Sequence, residues 1–356
     1  MAQRESACVG CLLGMAVGDA MGYTVDSKSW KEICEDYGPN GLLGYDLANG
    51  GAEVSSYTQI GAYAANGLLL GITRGRADLY VRFLQQAMKE WCRRQDLPRD
   101  PEEYSCWVSH ISALRRRHCR DSWMLDALRA KNPGTMESPI NRSANPGSML
   151  VTAMVALLSD DKRMDQTQLS RLAASAVATT HGAPEVWHSG AVLANVIAGI
   201  LAEEELPMKE LFLRAIETVE LQFPKTEILA NQLKRILDAS REDPQSVMED
   251  LRCDTAGQCL AGAMYACLVS QGDFDTAMIL AVNHSGKSAA VGAITGAILG
   301  AYLGQEALPE FYLESLEVVD VLTDLARDLA QGTPTMGLFD DDWDHKYNQG
   351  LPVGQC

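Results

Sequence analysis

The chain has 356 residues, 47% hydrophobic but only 6% aromatic, with 47 acidic against 30 basic side chains and a net charge of −17. That charge repels phosphate backbones and anionic lipid, so no general nucleic-acid binding and no membrane partner are expected. A core drawn from Ala, Leu, Val, Ile and Met with few rings is the mix that closely packed helices use, and it points to an all-α fold.

Helical periodicity recurs over residues 6–22, 57–72, 77–95, 102–119, 148–158, 167–179, 185–203, 208–221, 226–239, 255–270, 273–283, 289–303 and 314–330. The pattern is punctuated at Gly38-Pro39-Asn40-Gly41, Asn132-Pro133-Gly134, Asn145-Pro146-Gly147 and Asp243-Pro244. None of these breaks is long or low in complexity, so residues 1–356 read as a single domain.

The first and the late helical segments share a second pattern. Gly10, Gly14, Gly18 and Gly22 recur every four residues, as do Gly292, Gly296, Gly300 and Gly304. Residues four apart lie on one helix face, so each series forms a smooth strip that another backbone can approach. Each interior glycine costs a helix about 1 kcal/mol relative to alanine, which close packing must offset. Both helices are therefore expected in the buried centre, bringing residues 19–26 and 284–290 together.

Ten cysteines and no apparent secretory signal fit reduced thiols in a cytoplasm. Cys8 and Cys11 form a CxxC inside an apolar helical pattern without a second pair at zinc spacing, and read as buried thiols. No stretch reads as an uninterrupted bilayer span of ~20 apolar residues, and residues 289–303 come nearest. The basic run Arg115-Arg116-Arg117-His118 with Arg120 reads as a solvated helix face or as a phosphate or partner patch.

Three segments carry a resemblance to a known family. Residues 10–22, GCLLGMAVGDAMG, are followed by Val25-Asp26; residues 180–185 read THGAPE; residues 274–304 run from FDTAMILAVNHSGKSAA into the second glycine series. Together they resemble ADP-ribosylglycohydrolases over residues 6–304. The resemblance implies an orthogonal multi-helix bundle with ADP-ribose bound over two magnesium ions. It places those ions on a T-D-D-T segment early in the chain and a D-x-D-T segment late in it, because magnesium takes hard oxygen ligands in octahedral geometry.

This chain departs from that pattern at both ends. The early segment reads Ser55-Ser56-Tyr57-Thr58, and the late one Lys287-Ser288-Ala289-Ala290, so no carboxylate stands at any of the four aspartate positions. The central N-G-x-x-M-R motif appears as Asn145-Pro146-Gly147-Ser148-Met149-Leu150, with leucine in place of an arginine suited to phosphate. No metal cofactor is expected, and magnesium-dependent hydrolysis is not.

The expected ligand cleft comprises Asp19, Ser55, Ser56, Tyr57, Asn145, Ser148, Met149, Lys287 and Ser288. Lys287 either faces solvent at a helix start or brings a positive charge into the place of the metals, with Asp19, Asp26 or the Tyr57 hydroxyl in reach. Three functions follow. The first is a pseudoenzyme or regulatory module binding ADP-ribose or an ADP-ribosylated macromolecule. The second is a metal-independent hydrolase using Asp26 as acid or base, Lys287 for electrostatic stabilisation and Tyr57 for orientation. The third is an interaction module that neutralises a partner.

Overall fold

The computed structural model describes residues 2–47, 50–96, 104–158, 164–202, 206–240, 243–332 and 341–347. The helices are α1 (Ala2–Val25), α2 (Trp30–Tyr37), α3 (Ser56–Thr73), α4 (Tyr80–Asp96), α5 (Ser122–Arg129), α6 (Val151–Ala156), α7 (Gln166–Ala178), α8 (Pro184–Leu201) and α9 (Met208–Gln222). They continue as α10 (Glu227–Ile236), α11 (Pro244–Leu251), α12 (Ala256–Val269), α13 (Phe274–Val282), α14 (Ser288–Leu303), α15 (Glu310–Glu314), α16 (Val319–Gln331) and α17 (Asp341–Tyr347). Among the described residues there is no β-strand, so the fold is all-α.

The centre is the antiparallel pair α1 and α14, the most extensive helix–helix contact. A Cβ on Gly10, Gly14 or Gly18 would overlap the carbonyl oxygen of Gly300, Gly296 or Gly292. Each backbone thus lies directly on the other, which is what the glycine repeat requires. The register ends differently from the sequence pattern: Gly22 meets the Ser288 carbonyl, while Gly304 leaves the strip to cap α14 at φ +81°. Helices α12 and α13 pack on α14, and α16 packs on α1. One hydrophobic cluster takes in side chains from Ala7 to Tyr347.

Helix α1 is long and apolar enough by composition to cross a membrane, a property the sequence reading did not assign to it; 89% of its apolar window is buried inside the protein, as befits a core helix. Cys8 and Cys11 are buried on it.

The segment predicted as a helix over 102–119 is not one. Its residues 102 and 103, like residue 203 of the segment 185–203, lie outside the described residues. The rest forms 3-10 turns at Trp107–His110 and Ser112–Arg115, followed by extended chain. The buried Glu90 carboxylate accepts the Ser105 and Cys106 N–H groups at 2.9 and 3.2 Å and the Ser109 hydroxyl, giving these donors a partner that helix geometry would deny them. The basic run is accordingly not a solvated helix face. Arg116 bridges Glu53 and Glu317, and Arg117 donates to the Asp96 carbonyl.

Candidate functional site

Helix α1 delivers two acids to the first turns of two other helices. Asp19, fully buried, accepts the Ser55 N–H at 2.9 Å, the Ser55 hydroxyl and the Thr58 N–H at 3.0 Å, fixing the start of α3. Asp26, just past the end of α1, accepts the Ala289 N–H at 3.2 Å at the start of α14. Each carboxylate sits at the positive end of a helix dipole. Burial pushes Asp19 up to about 6 despite those hydrogen bonds, and also raises Asp26, against the Ala289 N–H and the charges of Lys287 and Arg120.

Between these starts lies a cavity of about 100 Å³ lined by Tyr23, Asp26, Ser27, Ser55, Ser56, Tyr57, His118, Arg120, Asp121, Asn145, Gly147, Lys287 and Ala289. The early and late segments therefore meet although more than 200 residues separate them. A second cavity of about 370 Å³ shares Tyr23 and Arg120 with it and adds Tyr37, Tyr45, Asp46 and Glu53. A larger cavity of about 490 Å³ between α7, α8 and α9 shares no residue with either. Size alone does not choose the site; the cluster of titratable groups does.

Of the expected residues, Asp26, Ser55, Ser56, Tyr57, Asn145 and Lys287 line the inner cavity. Asp19 lies behind it, under Ser55. Met149 is fully buried in the core, and the Ser288 hydroxyl turns to the His284 carbonyl at 3.3 Å. Ser148 is also buried, held by His181 Nδ1 at 2.8 Å. Lys287 is half-buried and lines the cavity, but the expected direct contact is not formed: among the described residues no carboxylate lies within 4.0 Å of its ammonium, and no hydrogen bond joins it to the Tyr57 hydroxyl. Its charge still lowers both Asp26 and Asp121.

Sequence reasoning missed Tyr23 and Asp121, and it singled out His118 and Arg120 only within the basic run read as a solvated helix face or a phosphate or partner patch, not as part of this cleft. Asp121 caps α5, accepting the Met124 N–H at 3.1 Å through Oδ1, while Oδ2 meets His181 Nε2 at 2.9 Å. His181 Nδ1 in turn meets the hydroxyls of Ser148 and Thr180, at 2.8 and 2.9 Å. A Cβ on Gly147 would strike Asp121 Oδ2, so glycine there keeps this chain of groups intact. Burial raises the Asp121 carboxyl, but the hydrogen bond and charge of His181, with the Met124 N–H and Lys287, hold it below its usual range. The available signal was the pairing of Thr180-His181 with an Asp121 placed to cap α5.

Asp26 and Asp121 thus face one cavity with affinities for protons driven apart, the arrangement that separates an acid from a base. Burial, and then the charges of Asp26, Cys259, Asp121 and Asp19, push the Tyr57 phenol far above its usual value, so it stays a neutral hydroxyl.

No curated protein matches the sequence. A solved structure described as an ADP-ribosylglycohydrolase-related protein complex is similar to the chain, with 23% identity and a TM-score of 0.62 over 93% of this chain and 99% of that one, a likeness of fold. The ADP-ribosylglycohydrolase family model matches residues 1–337. The chain belongs to the ADP-ribosylglycohydrolase family.

Proposed function

We propose that the protein binds ADP-ribose, free or carried by a macromolecule, in this cleft and does not perform magnesium-dependent hydrolysis. The observation that carries the reading is the identity of the groups facing the inner cavity at the four positions where the family pattern has metal-binding aspartates. All four line it: Ser56, Tyr57 with its neutral phenol, Lys287, and Ala289, whose side chain offers no donor. Magnesium takes six oxygen ligands at about 2.0–2.1 Å, and a cationic side chain at such a site repels it. Among the described residues no group of three or more His, Cys, Asp or Glu is arranged to hold a metal. The donors present do not fit the family's metal pair, and no step is derived through it.

Ligand size supports the same reading. The inner cavity is smaller than the roughly 300–1,000 Å³ typical of ligand sites, but it shares the walls Tyr23 and Arg120 with the neighbouring tyrosine-lined cavity of about 370 Å³. The test is calorimetric titration of the protein with ADP-ribose, alongside a Tyr57→Ala, Asp26→Ala double variant. Saturable binding that the double variant weakens supports the proposal, and absence of binding refutes it.

The divergence of Asp26 and Asp121 favours a second reading, metal-independent cleavage of an ADP-ribosyl bond. Asp26 would serve as general acid, Lys287 as electrostatic stabiliser and Tyr57 as orienting hydroxyl. Release of ADP-ribose from a modified protein in the presence of a chelator, abolished in Asp26→Asn, would establish it; a flat time course excludes it.

A further inference from the structure

The side chains around the inner cavity differ in how far their bonding capacity is already used. Asp26 receives the Ala289 N–H, and Asp121 receives both the Met124 N–H and His181. The two cations act on Asp26 at longer range without closing an ion pair. Among the described residues neither Arg120 nor Lys287 has a carboxylate within 4.0 Å, whereas Arg116 and Arg129 on the neighbouring segments are each held by two. Arg120 reaches the cavity of about 100 Å³ from the exposed side and Lys287 from a half-buried position, so the N–H donors of both remain open to a ligand there.

Arg120 is also anchored where it would be useful. Its guanidinium lies 5.7 Å from the centre of the Tyr23 ring, and these two residues stand in the walls of both the inner and the outer cavity. The arginine of the central family motif is Leu150 here, fully buried and unable to reach either cavity.

We infer that Arg120 and Lys287 together form an oxyanion site that holds a phosphoryl group of the ligand in the inner cavity. The planar guanidinium offers a fork of N–H donors to two phosphate oxygens, and the ammonium approaches as a point charge from the inner side. The inference rests on reading this cleft as a ligand site, not on ADP-ribose being the ligand.

The probes are ribose 5-phosphate, inorganic phosphate and unphosphorylated ribose, titrated calorimetrically at fixed ionic strength into the full chain. Arg120→Gln and Lys287→Gln are compared with Arg129→Gln, a paired arginine away from both cavities. Ribose 5-phosphate is expected to bind, to lose about tenfold in affinity with each of the first two substitutions, and to be unaffected by the third. Inorganic phosphate competing with the same dependence also supports the site and assigns it to free phosphate if ribose 5-phosphate fails to bind. Ribose binding as tightly as its phosphate, no phosphate-bearing probe binding, or equal losses in all three variants overturns the inference. ADP-ribose binding indifferent to Arg120 and Lys287 sinks the oxyanion site and spares the proposed function. Binding of ribose 5-phosphate without binding of ADP-ribose does the reverse.

Discussion

Replacing Gly14 with alanine decides whether the central helices are held by backbone contact. A Cβ there would lie far inside the 3.0 Å that side-chain carbons keep from the Gly296 carbonyl oxygen, and that atom belongs to a helix backbone that no rotamer change can move. The two helices must separate over at least a turn, a distortion at the upper end of overpacking, about 3 kcal/mol. Alanine returns about 1 kcal/mol through helix propensity. The net expectation is a loss of about 2 kcal/mol, and the sign is what matters, because a glycine with no packing role would give a gain of about 1 kcal/mol. Chemical denaturation of Gly14→Ala should show a lower midpoint than the parent. Gly44→Ala, where a Cβ would meet nothing within 4 Å, should not. An unchanged or raised midpoint for Gly14→Ala would mean that the close approach of α1 and α14 is not what the glycines serve.

Asp19 is raised from 3.8 to about 6, so folding opposes its ionisation: stability associated with it is present below pH 4 and falls as pH rises to about 6. The parent protein should lose on the order of 3 kcal/mol across that window relative to Asp19→Asn, and parallel pH profiles would show that Asp19 is solvated in the folded state. His284 accepts the Gly286 N–H through Nδ1 and sits 3.0 Å from the Ala281 carbonyl through Nε2; burial lowers it to about 4. Its contribution is present above pH 6.5 and fades as pH falls toward 4, and nitrogen NMR should find the neutral Nε2–H tautomer at pH 7; a midpoint near 6.5 would contradict this placement. Restoring the family pattern with Ser56→Asp, Tyr57→Asp, Lys287→Asp, Ala289→Asp and Ala290→Thr should create magnesium-dependent ADP-ribose binding. A folded quintuple variant that binds neither would mean that divergence extends beyond these positions.

The central helices and the meeting of the early and late segments were legible because glycine spacing has one inexpensive explanation in a helix, although the pairing departs from the glycine pattern at Gly22 and Gly304. The 102–119 segment was misread because its apolar spacing also suits 3-10 turns, and the deciding acceptor, Glu90, comes from α4. Short α2 carries a Ser29–Glu32 capping box that was available in the sequence and overlooked. In the site, Lys287 was legible as a replaced ligand. Arg120 was legible only as a member of the basic run, and Asp121 not at all, since what distinguishes them is the company of Tyr23, His181 and Lys287, brought from distant parts of the chain.

The central claim, an ADP-ribose site freed from magnesium, is tested most directly by the affinity for ADP-ribose measured by calorimetry in chelator and again in millimolar magnesium. The account predicts saturable binding with the same affinity in both. An affinity that rises with magnesium would contradict it, since a metal pair would then be forming among Asp26, Asp121 and the hydroxyls of Ser55 and Ser56 in spite of Lys287.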